Sequence, residues 1–350
     1  MAYDRNVPYN ELPLLPPPQE RINDMEILQK LVSATRAIAT LDGITNTLDD
    51  PQIMVNTISL QEAKESSKIE NIFTTTDALY EAMALSATEK KSEAAKEVLR
   101  YRESLMEGMS LVEEKGLLNK DVLIRLFQII KESTANVRTD LQEVWLKRGG
   151  TDARAGERVY TPPLGQALLN EKLDNLIEYL NDDDQYKHDP LIKMAVAHYQ
   201  FEAIHPFIDG NGRTGRVGNV LYLVSKRILK YPVAYFSKYI SQNKEDYQYL
   251  IKRVTERQAW KPWILFMLDA VESTAHYTIE KIEQINALKE RTNTYVRERD
   301  PKIDMEYIEA IFIQPYIKSV HLSDNERYKV KNRKTATGIL DKLVALGALD

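Results

Sequence analysis

The chain has 350 residues, 43% of them hydrophobic, with a formal net charge of −5 and no cysteine. That length allows two or three domains with a sizeable core. The acidic balance argues against nucleic-acid affinity of the whole chain but leaves room for a local basic patch, and the missing cysteines exclude a disulfide framework and a thiolate zinc site. There is no run of about 18 apolar residues and no basic-then-apolar leader over Met1 to Pro18, so no membrane span or secretory signal is expected and a cytoplasmic setting suits the composition.

Leu12 to Pro18 is proline-rich and reads as an extended arm laid on the surface. Apolar residues at helical spacing then recur over about 21–41, 52–72, 76–85, 88–114 and 120–133. Within the second of these, Ser66 and Glu70 stand one turn apart in Ser66-Ser67-Lys68-Ile69-Glu70-Asn71, a spacing that alone describes a solvated helix face. Residues 149–163 break the pattern. Gly149, Gly150 and Gly156 precede Val159, Tyr160, Thr161, Pro162 and Pro163, which is the signal of a hairpin or extended flap and equally that of a surface loop. Helical spacing resumes over 165–181, 189–203, 213–229 and 242–256, and Trp260 to Glu298 reads as helices leading out of the core. Met305 to Ile313 is one more helical pattern, punctuated by Pro315. Asn332 to Leu349 resembles the recognition helix of a winged helix-turn-helix, and the sequence stops before any wing hairpin. An all-α bundle with a short hairpin flap is the economical architecture.

Residues 205–216 read His-Pro-Phe-Ile-Asp-Gly-Asn-Gly-Arg-Thr-Gly-Arg. A neutral histidine suits proton abstraction near neutral pH, which makes His205 the base candidate. Asp209 is a hard carboxylate of the kind that holds Mg²⁺ together with substrate phosphates. Gly210, Asn211 and Gly212 open a helical stretch, so unpaired N–H groups and the positive end of the helix dipole meet there in an anion site. Arg213 and Arg216, three apart, have the fork geometry for phosphate oxygens, with Thr214 and Gly215 between them. A lone Gly-Asn-Gly is only a turn and a lone histidine is usually structural, but a turn needs no arginine pair and a core histidine needs no aspartate four residues on. His198 has no ligand-type companions and reads as structural.

The string resembles the signature of the Fic family, whose members transfer AMP from ATP to protein hydroxyls. The resemblance implies His205 as general base, Asp209 as Mg²⁺ ligand, Gly210 to Gly212 as the phosphate cradle and Arg216 at the γ-phosphate. It extends over about residues 60–275. Beside that motif, Ser66 to Asn71 is similar to the inhibitory motif of Fic proteins, placed N-terminal to the core as in the family's second class. Glu70 is then expected to pair with Arg216, occupy the guanidinium meant for the γ-phosphate and repel the triphosphate. The same glutamate is a candidate for orienting water in the removal of AMP. The resemblance also implies a flap that aligns target backbone by strand addition, with Val159, Tyr160, Thr161 and Pro162 as its candidates. Glu245 to Leu250 is similar to a Tyr-Tyr adenine segment in which this chain has Gln248 for the second tyrosine, leaving Tyr247 and Gln248 as adenine contacts and core tyrosines as the alternative.

The organisation expected is an N-terminal region with arm and inhibitory helix over 1–110, a Fic core over 111–275, a linking helix over 276–300 and a winged-helix-like module over 301–350. The leading reading is an autoinhibited adenylyltransferase acting with Mg²⁺ and ATP on a Tyr, Thr or Ser hydroxyl of a target protein or of itself. Unreplaced glycines at 210 and 212 favour AMP transfer over phosphate transfer. The reading from another class is a DNA-binding regulator that uses Arg333 and Lys334, with the Fic core as nucleotide sensor. A homodimer is implied by the family, and the C-terminal module serves either DNA or protein docking.

Overall fold

The computed structural model describes residues 3–48, 50–84, 91–147, 156–313 and 316–349. After the arm come α1 (Gln19–Ile22), α2 (Met25–Asn46), α3 (Gln52–Ile69), α4 (Thr76–Ala84), α5 (Glu93–Lys115) and α6 (Lys120–Lys131). Two short strands, β1 (Leu146–Lys147) and β2 (Arg158–Tyr160), pair antiparallel with Leu146 opposite Tyr160. Then follow α7 (Gln166–Asn181), α8 (Pro190–Ile204), α9 (Asn211–Ser225), α10 (Phe236–Gln242), α11 (Lys244–Arg257) and α12 (Trp260–Arg299). The C-terminal part holds α13 (Met305–Ile313), α14 (Ser319–Ser323) and α15 (Arg333–Ala345). The expectation of an all-α bundle with a small hairpin holds. Gly149 to Ala155 of the expected flap, and Pro315, lie outside the described residues.

Local chemistry sets the helix limits. The Ser92 hydroxyl accepts from the Ala95 N–H at the start of α5, and Asn119 does the same from Val122 for α6. Gly116, with φ 72°, stops α5 in the left-handed conformation that suits glycine. Asp189 caps α8 and Pro190 is its first residue, where a missing N–H is harmless.

Two helices form the centre. In α8 only Pro190 and Glu202 escape full burial, and in α9 only Gly212 and Ser225. A helix buried on all sides has no solvent face to turn outward, so the others wrap around this pair. Gly108 on α5 permits a close approach: a Cβ there would lie 2.4 Å from Leu221 of α9 and 2.7 Å from Leu126 of α6. The arm is part of this packing. Leu12 and Leu15 are buried, and Lys172, Gln200 and Asn175 hydrogen bond to the main chain of Leu12, Pro13 and Leu15.

The stretch from Trp260 is one unbroken helix where several were expected, and α10 was not marked by the sequence. Its seven residues are too few to show a period, and they follow a strand-like Tyr-Pro-Val-Ala-Tyr run.

Candidate active site

His205 terminates α8 in a left-handed conformation, φ 50°, with its N–H donating to Phe201 at 2.9 Å. The chain then reverses over Pro206 to Asp209. Phe207 stacks on Phe127 at 4.0 Å between ring centroids, and the Asn211 side chain both accepts from the Phe207 N–H and donates to its carbonyl. His205 Nδ1 faces the Glu202 carbonyl at 3.4 Å; since a carbonyl only accepts, Nδ1 carries the proton and Nε2 keeps its lone pair. Burial and the neighbouring Arg138 charge push the imidazole down to about 4, against opposing contributions from the Glu202 carbonyl, Glu70 and Asp209. A histidine so placed is neutral at physiological pH and able to accept a proton.

Gly210, with φ 81°, precedes α9 and supplies no side-chain cap, which leaves the first N–H groups of that helix in a geometry suited to an anion. Glu70 reaches this place. Its Oε1 accepts from Arg216 Nη2 at 2.8 Å, and the Ser66 hydroxyl and carbonyl accept from Arg216 Nε and Nη2 at 2.8 and 3.0 Å. Gly212 makes the approach possible: a Cβ there would sit 2.5 Å from Glu70 Oε1. Burial raises the Glu70 carboxyl, but Arg216, with Arg213 and Lys244 behind it, outweighs burial and holds it below its ordinary value. Burial lowers the Arg216 guanidinium while Glu70 raises it, and the net direction is upward. Asn71 follows with φ 62°, a left-handed conformation that asparagine and glycine tolerate, which accounts for the residue type at that place.

At the other side of the loop Asp209 Oδ2 accepts from Lys131 Nζ at 2.6 Å. Among the described residues no three or more His, Cys, Asp or Glu side chains gather to hold a metal ion. Asp209, largely exposed, fits a hard cation that takes one carboxylate and completes its shell with phosphate and water. Arg213 is buried and its Nη1 meets Glu97 Oε2 at 2.7 Å, while its Nε has no partner among the described residues.

Other expected site residues serve different ends. Thr214 returns its hydroxyl to the Gly210 carbonyl, and Gly215 lets Glu202 and Phe201 of α8 close on α9. Of the two expected adenine contacts, Tyr247 is buried, its ring packs with Trp263 and Phe266, and its hydroxyl meets His198 Nε2 at 2.8 Å. Gln248 is exposed on α11. The flap candidates are held by the chain's own main chain. Tyr160, Thr161 and Pro162 are buried, with the Tyr160 hydroxyl on the Ala203 carbonyl and the Thr161 hydroxyl on that of Arg5. The arm covers this strand, since Tyr9 N–H donates to Thr161 and the Tyr3 hydroxyl to Val159. Sequence reasoning missed Glu97, Lys131, Arg138 and Glu202. A carboxyl pushed up to about 7 by burial, as Glu202 is, leaves no local mark in a helical pattern.

The chain is similar to known proteins over three regions. Family models described as Fic/DOC family N-terminal, Fic/DOC family, and protein adenylyltransferase SoFic-like C-terminal domain match residues 28–110, 118–223 and 288–350. Protein adenylyltransferase fic-1 of Caenorhabditis elegans is 29% identical over 31% of this chain and 24% of its own length. Protein adenylyltransferase Fic of Drosophila ananassae is 27% identical over 68% of this chain and 47% of its own. The chain thus spans less than half the length of these curated relatives. A Fic family protein from Desulfovibrio desulfuricans has the same fold, with a TM-score of 0.60 at 18% identity over 92% of this chain and 90% of that one. From the three matched regions and the shared helical fold, the chain belongs to the Fic family.

Proposed function

We propose that the protein is an autoinhibited protein adenylyltransferase, a reading carried by the seating of the Glu70 carboxylate on Arg216 at the anion-receptive start of α9. An acidic side chain held in a pocket built for anions is a stand-in for the group that belongs there. With ATP bound, the α9 N-terminus and Arg216 receive phosphate oxygens, and Arg213 offers its unpartnered Nε. His205 Nε2 takes the proton of a target Tyr, Thr or Ser hydroxyl as its oxygen bonds to the α-phosphorus; the bond from that phosphorus to the bridging oxygen breaks and pyrophosphate leaves. Asp209 is the residue that would hold Mg²⁺, which neutralises phosphate charge when bound. The names of the curated relatives support this reaction class.

The test is incubation of wild type, Glu70→Gly and Glu70→Gly/His205→Ala with Mg²⁺ and ATP labelled at the α- or the γ-phosphorus. Label from the α-position alone, at least about tenfold stronger in Glu70→Gly and lost in the double variant, is the expected outcome. Label from the γ-position would replace AMP transfer by phosphate transfer, and equal labelling of wild type and Glu70→Gly would remove the brake from the reading.

A second reading rests on α15. Lys329, Lys331, Arg333 and Lys334 stand exposed around its start, and among the described residues none has an acidic neighbour within ion-pair distance. Such a face suits nucleic-acid phosphates. Duplex DNA retained at 50 mM salt and released by 200 mM would support it, and loss of that retention on Arg333→Ala/Lys334→Ala would place it on α15.

A further inference from the structure

Arg138 lies in the loop after α6 and is 1% exposed. No carboxylate pairs with it among the described residues. Its donors all go to main-chain carbonyls instead. Nε donates to His205 at 2.8 Å, Nη1 to Gln142 at 3.0 Å, and Nη2 to Pro163 at 2.9 Å and to Ile204 at 3.4 Å. The Arg138 N–H itself donates to Pro206 at 2.9 Å. One planar fork therefore joins the end of α8, the loop that leads into β1 and the segment leaving β2. A buried guanidinium without an anion is costly, so its retention calls for a task that neutral residues cannot perform.

We infer that Arg138 is a positioning residue of the reaction, fixing His205 in its left-handed backbone conformation and registering the catalytic loop against the hairpin that borders it. His205 sits where α8 can no longer hold the carbonyls of Ile204 and His205 by helical bonds, and Arg138 takes both. The same guanidinium charge helps keep the imidazole neutral, while Glu70 from α3, Asp209 from the loop and the Glu202 carbonyl from α8 act in the opposite sense. This rests on the reading of His205 as the base. Lysine cannot replace the function, because a point charge lacks the fork that spans three segments.

The experiment compares Arg138→Lys, Arg138→Gln and Arg138→Ala, each in the Glu70→Gly background, by four readouts: kcat for AMP transfer, binding of a non-hydrolysable ATP analogue, the His205 titration followed by NMR, and rescue by added guanidinium. Expected are a fall in kcat of about 100-fold, the scale of a misplaced reacting group, with analogue affinity within about threefold of the parent. The His205 titration moves upward in Arg138→Gln, where the charge is lost, and less in Arg138→Lys, where it is kept. Guanidinium restores part of the rate of Arg138→Ala. Unchanged kcat in Arg138→Lys would overturn the inference, as would loss of analogue binding in proportion to kcat with no movement of the His205 titration and no rescue. If Arg138→Gln and Arg138→Ala fail to fold, Arg138→Lys carries the kcat and binding comparison. Failure of AMP transfer itself is told apart by the Glu70→Gly parent, which would then be inactive while the NMR titration still reports on Arg138.

Discussion

Arg216 is 1% exposed, and its guanidinium donates to Ser66 of α3 and to Glu70 at the end of that helix. A buried guanidinium stripped of its carboxylate partner loses about 3–5 kcal/mol when the pair is fully enclosed. The Glu70 side chain is 39% exposed, so water shares the compensation and about 1–2 kcal/mol is the expected cost. Glu70→Ala should therefore lower stability in urea by that amount while raising AMP transfer, and Mg·ATP should stabilise the variant more than wild type because its phosphates return the missing charge. The pH dependence has a definite sign. Glu70 is held below 4.5 in the folded chain, so its contribution is complete above that value and is lost as pH falls through the folded pKa. Unfolding curves of wild type and variant should stay apart near neutrality and converge in acid. A gap that persists at low pH would mean that the carboxylate charge is not what stabilises the pair.

Helix α3 delivers Glu70 to Arg216 only because it ends in a particular turn. Asn71 has φ 62°, and Lys244 Nζ donates to the Ile69 carbonyl at 2.6 Å, tying the end of α3 to the start of α11. A β-branched residue at Asn71 costs about 1–2 kcal/mol in a left-handed conformation, whereas glycine is at ease there. Asn71→Val should loosen Glu70 and raise AMP transfer, and Asn71→Gly should leave the brake as it is; equal labelling by both variants would show that the turn does not set the glutamate. The loop from His205 to Arg216 was legible in the sequence because its parts lie within one turn and one helix start. Contacts that cross the chain were not. Glu97 meets Arg213 from 116 positions away and Arg138 meets His205 from 67, and no helical period encodes which distant side chain arrives. Spacing over 242–256 marks a helix and not which of its tyrosines turns inward, as Tyr247 does. The flap candidates carried no sign that the chain's own arm would lie across them.

On the scale of the molecule, α12 extends about 60 Å at 1.5 Å per residue. Its buried residues run from Trp260 to Ile282 and reappear only at Asn293 and Val296, so the stretch between spans two separate cores. The second core is small: Val296, Ile303, Ile308 and Leu343 form one cluster, and Ala310, Leu322, Tyr328, Val330 and Ala336 the other. Its links to the larger body include an ion pair of Arg327 with Asp50 and the stacking of Tyr80 on Tyr316. A unit so joined should open independently of the central helices. Leu343 is fully buried, and Leu343→Ala removes about 2–5 kcal/mol from a core with few other apolar groups to absorb the loss. Hydrogen exchange in that variant should quicken across 301–349 while α8 and α9 keep their protection, and calorimetry should resolve an early transition ahead of the main one. A uniform loss of protection in both parts would show instead that the two cores fold as one, and that the surface links through Arg327 and Tyr316 couple them more strongly than exposed contacts ordinarily do.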